Sequence, residues 1–236
     1  MVYDINPLKI LEVGTDNKCK LITNKKDKHL DKIESSFGDL PFHLRNSSNL
    51  IPFKNKYLGI GHAVLEYKNY TDINKFLIPD MNNSLYSNTD KEYFKRFYKL
   101  YLGFFYVLDM DQKEIIQLSP FFQLPSEESK HELIFFPTSI HTDKNNMVNI
   151  SYSLGDNRSY VSKIHSKIIE YSLYDKSNIN MHMNYNINLH YYLELIRTLR
   201  KIHKFDTTRY LVYKGSRNSK SKKKSKHKTK RNRNTV

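Results

Sequence analysis

The longest apolar run in this chain, Tyr101–Leu108, is only the length of a strand. It falls far short of the roughly 20 apolar residues needed to cross a bilayer, so no membrane-spanning helix is expected. Between Val2 and Leu173 apolar residues alternate with polar ones or form runs of similar length, separated by clusters of Asn, Lys, Asp and Gly. This pattern predicts antiparallel β-structure. The expected strands are Leu8–Val13, Lys18–Ile22, Asn49–Pro52, Tyr57–Leu65, Tyr101–Leu108, Glu114–Leu118, Glu132–Phe136, Ser139–His141, Met147–Leu154 and Tyr160–Tyr171. The clearest hairpin is Phe105–Leu118, where Asp109 and Asp111 can reverse the chain by bonding their own backbone.

Two segments share a layout. Ser48–His62 and Thr138–Tyr152 each read as a short strand, a Lys-Asn turn and a longer strand. Their offset of about 90 residues fits two propeller blades of roughly 40–50 residues each, and it equally fits chance recurrence of a Lys-Asn turn in so Asn-rich a chain. The period changes near the end, where Leu189, Leu193, Ile196 and Leu199 fall at helical spacing. With Arg197, Arg200 and Lys201 near its C-terminal end, the stretch 186–204 predicts one amphipathic helix packed on the body.

Charge divides the chain in two. Of 39 Lys and Arg residues, 11 lie in Lys214–Val236, which contains no acid. The remaining 28 bases face 24 acids, a charge of about +4 on a body, 1–213, that is expected to be one β-domain. With 39% hydrophobic and 13% aromatic residues overall, wholesale disorder is excluded. The tail, 214–236, has almost nothing apolar to order it and is expected to be disordered. Lys222, Lys223, Lys224, Arg231 and Arg233 suit an anionic polymer such as a nucleic-acid backbone, and without interleaved aromatics no base stacking is expected. The alternative is a merely solubilising tail.

A single cysteine, Cys19, excludes an internal disulfide, and the N-terminus lacks the pattern of a secretory signal, so an intracellular protein is expected. No phosphate loop, dinucleotide fingerprint or nucleophile elbow occurs, so no cofactor is expected. His62, His131 and His141 show no metal-ligand spacing, so no metal site is expected.

Two stretches could carry chemistry. In the first, Arg45 offers a planar fork of donors for sugar hydroxyls, carboxylates or phosphate, flanked by the short hydrogen-bonding side chains of Asn46 and Ser47. The same residues also read as a polar strand entry. In the second, Glu132 opens an apolar strand and Asp156 ends another. Paired carboxylates at strand ends are what glycosidic chemistry requires, yet Asp156 also reads as a turn residue and Glu132 as the partner of a surface lysine.

These stretches resemble the five-bladed β-propeller superfamily of glycoside hydrolases, on the side of the β-mannoside phosphorylase-like proteins and the propeller modules of giant DNA viruses. The likeness is carried by Arg45-Asn-Ser-Ser-Asn-Leu50-Ile51, Tyr57-Leu58-Gly59 to His62, Phe105-Tyr-Val-Leu-Asp109, Leu118-Ser-Pro-Phe-Phe122, Glu132 to His141 and Ile150-Ser-Tyr-Ser-Leu-Gly-Asp156. It implies a carbohydrate-binding propeller, with Arg45, His62, Glu132, Asp156 and Arg158 around a central pocket. In an active enzyme, Glu132 and Asp156 would be the acid/base pair of a hydrolase, phosphorylase or transferase. The matching region, about 170 residues, is too short for five full blades, so the resemblance implies an incomplete or reduced propeller. A second class of function stays open: a basic-tailed structural protein, for example of a virion, that associates with nucleic acid.

Overall fold

The computed structural model describes residues 1–35, 39–67, 99–122, 124, 134–155 and 158–177, and the backbone of 214–216. These residues are mainly β, in three antiparallel sheets. The first is a meander of β1 (Val2–Ile5), β2 (Leu8–Val13) and β3 (Cys19–Lys25), followed by helix α1 (Lys28–Ser35). The central sheet contains β4 (Phe42–Asn46), β5 (Ile51–Phe53), β6 (Lys56–Glu66), β7 (Lys99–Asp109), β8 (Glu114–Leu118) and β12 (Tyr174–Asp175). Its order is β12-β8-β7-β6-β4, with β5 also pairing on β6. The third sheet, β9 (Phe135–Thr142), β10 (Met147–Leu154) and β11 (Arg158–His165), is completed by β13 (Lys214–Ser216) beside β11. Helix α2 (Ser166–Ser172) follows β11.

The long strands β6 and β7 read as nearly continuous apolar runs because both faces are covered. Leu58 and Ile60, with Phe105 and Val107, face the third sheet and pack with Phe135, Ile140, Val148 and Ile150. On the other face, Ala63, Leu65, Leu102, Phe104 and Tyr106 pack with Val2, Ile5, Leu8 and Ile10 of the first sheet and with Leu30 and Ile33 of α1. The central sheet is thus sandwiched between two apolar cores.

Two glycines make this packing possible. Gly59 and Gly61 stand opposite Tyr106 and Phe104 across the β6–β7 ladder. A Cβ on Gly59 would lie 2.3 Å from the Tyr106 ring, and one on Gly61 would lie 2.5 Å from the Arg45 carbonyl oxygen and 2.6 Å from Phe104. The aromatic rings occupy the space that side chains would take.

Gaps in the backbone ladders are closed by side chains. Ile60 and Phe105 are paired residues, and each donates its backbone N–H to a buried serine: Ile60 to Ser48 Oγ at 3.0 Å and Phe105 to Ser119 Oγ at 2.8 Å. These hydroxyls stand in where the neighbouring strand departs, leaving neither donor orphaned. Asn49 spans from the central sheet to the edge strand β9. Its amide donates to the Ile140 carbonyl at 2.9 Å and accepts from the Ile140 N–H at 3.2 Å, as a peptide group would.

The structure amends several sequence-based expectations. The expected strand Tyr160–Tyr171 is β11 followed by α2, a switch set by His165, whose Nδ1 accepts from the Lys167 N–H at the helix start. The end of the expected strand Glu132–Phe136, whose first two residues lie outside the described residues, and the expected strand Ser139–His141 fall in one strand, β9, with a register shift opposite Ser151/Tyr152. Pro137 is tolerated there because β9 is an edge among the described strands. β1, β4 and α1 were not expected from the sequence pattern. At the start of the 214–236 stretch, Lys214–Ser216 pairs with β11 as β13. The expected helix 186–204 lies outside the described residues, as does the rest of the tail.

Candidate functional site

Strand register builds the site. Antiparallel pairing sets Arg45 of β4 opposite His62 of β6, and His62 opposite Gly103 of β7. Directly paired residues share a face, so His43 and Arg45 stand beside His62, Val64 and Glu66, with Tyr101 and Lys99 beyond. Further along β6 this face is covered by the third sheet, through Leu58 and Ile60. From His62 onward it lines a cavity of about 600 Å³. Phe136 of β9 walls one side, and Tyr3, Asp4 and Asn6 from the first sheet wall the other.

His62 sits at the inner end of this cavity, only 6% exposed. Its ring stacks on Tyr101, with centroids 5.8 Å apart and planes at 25°, and meets Phe136 at 4.7 Å. Nδ1 lies 2.5 Å from Ser47 Oγ. Burial, and then the nearby Arg45 charge, push the imidazole down to about 4, so it is neutral at pH 7. Arg45 itself is exposed, and its guanidinium makes no hydrogen bond or ion pair among the described residues.

Among the described residues the other charges of the cavity are paired. Lys99 Nζ is 2.8 Å from Glu66 Oε1, a contact that holds the Glu66 carboxyl below its ordinary range and raises the Lys99 amine. Asp4 is met by Lys9 at 3.4 Å. Asn6 is braced by α1, its Nδ2 donating to Asp31 Oδ1 at 2.9 Å and Glu34 Oε2 at 2.7 Å. Glu34 Oε1 in turn accepts from the Leu44 N–H at 2.8 Å, tying α1 to the outer edge of β4. Burial raises the Glu34 carboxyl despite these bonds.

Of the residues singled out from sequence, Arg45, Asn46 and His62 line this cavity, and Ser47 supports His62. The Asn46 amide is committed to the fold: Nδ2 donates to the Val2 and Ser48 carbonyls at 2.9 and 3.1 Å, and Oδ1 accepts from the Tyr106 hydroxyl at 2.7 Å. Arg158 opens β11 opposite Leu154 and does not line the cavity. Glu132 and Asp156 lie outside the described residues, as do His131, Lys222, Lys223, Lys224, Arg231 and Arg233. Among the described residues no group of three or more His, Cys, Asp or Glu is placed to hold a metal ion. No described helix is long and apolar enough to cross a membrane.

Sequence reasoning missed Tyr101, Glu66, Lys99, Phe136 and the wall from β1. Glu66 was within reach, since it falls four residues after His62 and one residue past the end of the expected strand Tyr57–Leu65, so a strand one residue longer puts both on one face. The β1 and β9 residues come from other sheets, and no local pattern marks them. Compared with known proteins, the chain matches no family model, no curated protein and no solved structure, so the arrangement of these side chains carries the functional reading.

Proposed function

We propose that this chain is a carbohydrate-binding β-domain, a reduced relative of the five-bladed propeller glycoside hydrolases, that holds sugar in the cavity between β1, β4, β6, β7 and β9. The observation that carries the reading is the row formed by Arg45 and His62 beside the rings of Tyr101 and Phe136. A sugar offers hydroxyl oxygens to such donors and an apolar C–H face to such rings. Three stacked antiparallel meanders, two of which contain the echoing segments Ser48–His62 and Thr138–Tyr152, support kinship with a propeller. In an active form, Glu132 and Asp156 would supply the acid and base for hydrolysis, phosphorolysis or transfer.

The test is glycan-array binding of the full chain. Arg45→Ala is expected to weaken the signal at least tenfold, on the order of the 1.4 kcal/mol or more that a charge-assisted hydrogen bond contributes, whereas Arg158→Ala leaves it unchanged. Equal loss in both variants, or none in either, would remove the cavity from the account. The 11 basic residues of 214–236 favour a second reading, a nucleic-acid-associated structural protein. That reading prevails if deleting 217–236 abolishes salt-sensitive nucleic-acid binding while the intact chain binds no glycan.

A further inference from the structure

The class of sugar follows from the charge and donor pattern of the cavity, and this inference rests on the carbohydrate reading above. Among the described residues four charged side chains line the cavity: Asp4, Arg45, Glu66 and Lys99. Glu66 holds Lys99, and Lys9 meets Asp4 from outside the lining. Arg45 is left as the cation with no ion pair among the described residues.

Its neighbour adds a donor. Among the described residues the Ser47 hydroxyl has one hydrogen-bond partner, His62 Nδ1. If that nitrogen carried the ring proton, the hydroxyl proton would be left without an acceptor; with the hydroxyl donating, both groups are satisfied. The proton of the neutral ring therefore sits on Nε2, which bonds no polar group of the described residues. Arg45 and His62, opposite one another in the β4–β6 ladder, together present a guanidinium fork and a ring N–H, and no acceptor.

We propose that the cavity takes a sugar bearing a carboxylate, such as a hexuronic acid, with the carboxylate between the Arg45 guanidinium and His62 Nε2–H and the sugar ring against Tyr101 and Phe136. The guanidinium fork matches the two oxygens of a carboxylate. One uncompensated positive charge also matches a monoanion. A phosphate monoester brings about −1.5 to −2 at neutral pH, an excess of negative charge in a cavity that already contains Asp4 and Glu66. Ser47 is a positioning residue that fixes which nitrogen of His62 faces the ligand.

The experiment is an NMR titration of the full chain at low salt with D-glucuronate, D-glucose, D-glucose 6-phosphate and sodium acetate. Glucuronate is expected to bind at least tenfold more tightly than glucose or the phosphate, and acetate to compete with it. Arg45→Ala should erase the advantage over glucose, and Arg45→Lys should keep part of it. Long-range proton–nitrogen spectra should show His62 protonated on Nε2, and Ser47→Ala should give a mixture of tautomers. Equal binding of glucose and glucuronate would overturn the inference while leaving the carbohydrate reading intact. The same holds for tighter binding of the phosphate, or for a ring proton on Nδ1. Acetate binding without any sugar would overturn the carbohydrate reading itself, and binding by none of the four would overturn both.

Discussion

Gly61→Val is expected to destabilise the protein by about 3 kcal/mol or more, the upper range for overpacking a filled core. A Cβ at this position meets the Arg45 carbonyl oxygen at 2.5 Å and the Phe104 ring at 2.6 Å. The first is backbone of the paired strand β4 and cannot retreat without opening the β4–β6 ladder. The second is fully buried between the central sheet and the first. Because Arg45 and His62 are the next pair in that ladder, the cavity would be distorted with the strand. Gly14→Ala is the control: its Cβ first meets the Asp16 side chain in an exposed turn, which can swing away, so its effect should lie within about 0.5 kcal/mol. Urea unfolding of both variants decides the matter, and a Gly61→Val protein as stable as wild type would refute the packing described for β6.

Acid should destabilise the protein in a window set by His62. Burial, helped by Arg45, lowers the folded imidazole to about 4, against roughly 6.5 for an unfolded histidine. The unfolded chain therefore takes up this proton first. The contribution of the neutral ring is complete above about pH 6.5, declines as pH falls through the interval, and is gone below about 4. At 1.36 kcal/mol per unit, the loss across the window is about 3 kcal/mol. His62→Gln, which retains a hydrogen-bonding group for Ser47, should lack this component. The carboxyls of Asp27 and Glu114 are both lowered: for Asp27 burial pushes upward but is outweighed by the hydrogen bonds from Lys176 and the His29 N–H together with the Lys176 charge, and for Glu114 the Lys176 hydrogen bond is the main cause. They stay ionised through most of the window, and the raised Glu34 titrates alike in both proteins. The measurement is the difference in unfolding free energy between pH 7.5 and 4.5 for wild type and variant. Identical pH dependence in the two would show that His62 is not the buried neutral group.

The sequence was most informative where turn residues bound a strand clearly at its ends. β8 and β10 begin and end where alternation and turn residues place them, and the turn after β7 is held by Asp109, whose Oδ1 accepts from the Asp111 and Gln112 N–H groups. Short edge elements were harder to read. β4 buries Phe42 and Leu44 alone, and α1 buries only Leu30 and Ile33, too few apolar positions to declare a period. The start of α2 was hidden because its cap is a histidine, not one of the usual Ser, Thr, Asp or Asn residues.

For the site, Arg45 and His62 were brought together only by the resemblance, since β4, the strand that sets Arg45 opposite His62, was not expected from the pattern. The roles of their neighbours were not legible. Asn46 and Ser47 have the hydrogen-bonding character expected of them, yet their bonds run to Val2, Tyr106 and His62, because the first sheet packs beneath β4. The Lys176 ammonium shows the same dependence on tertiary contact. It joins Asp27, before α1, to Glu114 of β8, and although burial opposes its charge, these two hydrogen bonds raise its pKa.

The central claim is that sugar binds on the Arg45–His62 face. It is tested most directly by mapping backbone amide shifts as a glycan that the array identifies is titrated into the full chain. The account predicts that the largest changes fall on Tyr3, Leu44, Arg45, His62, Val64 and Tyr101, and that Arg45→Ala removes them. Shifts confined to the third sheet around Ser151–Ser153, or to the basic stretch 217–236, would contradict it.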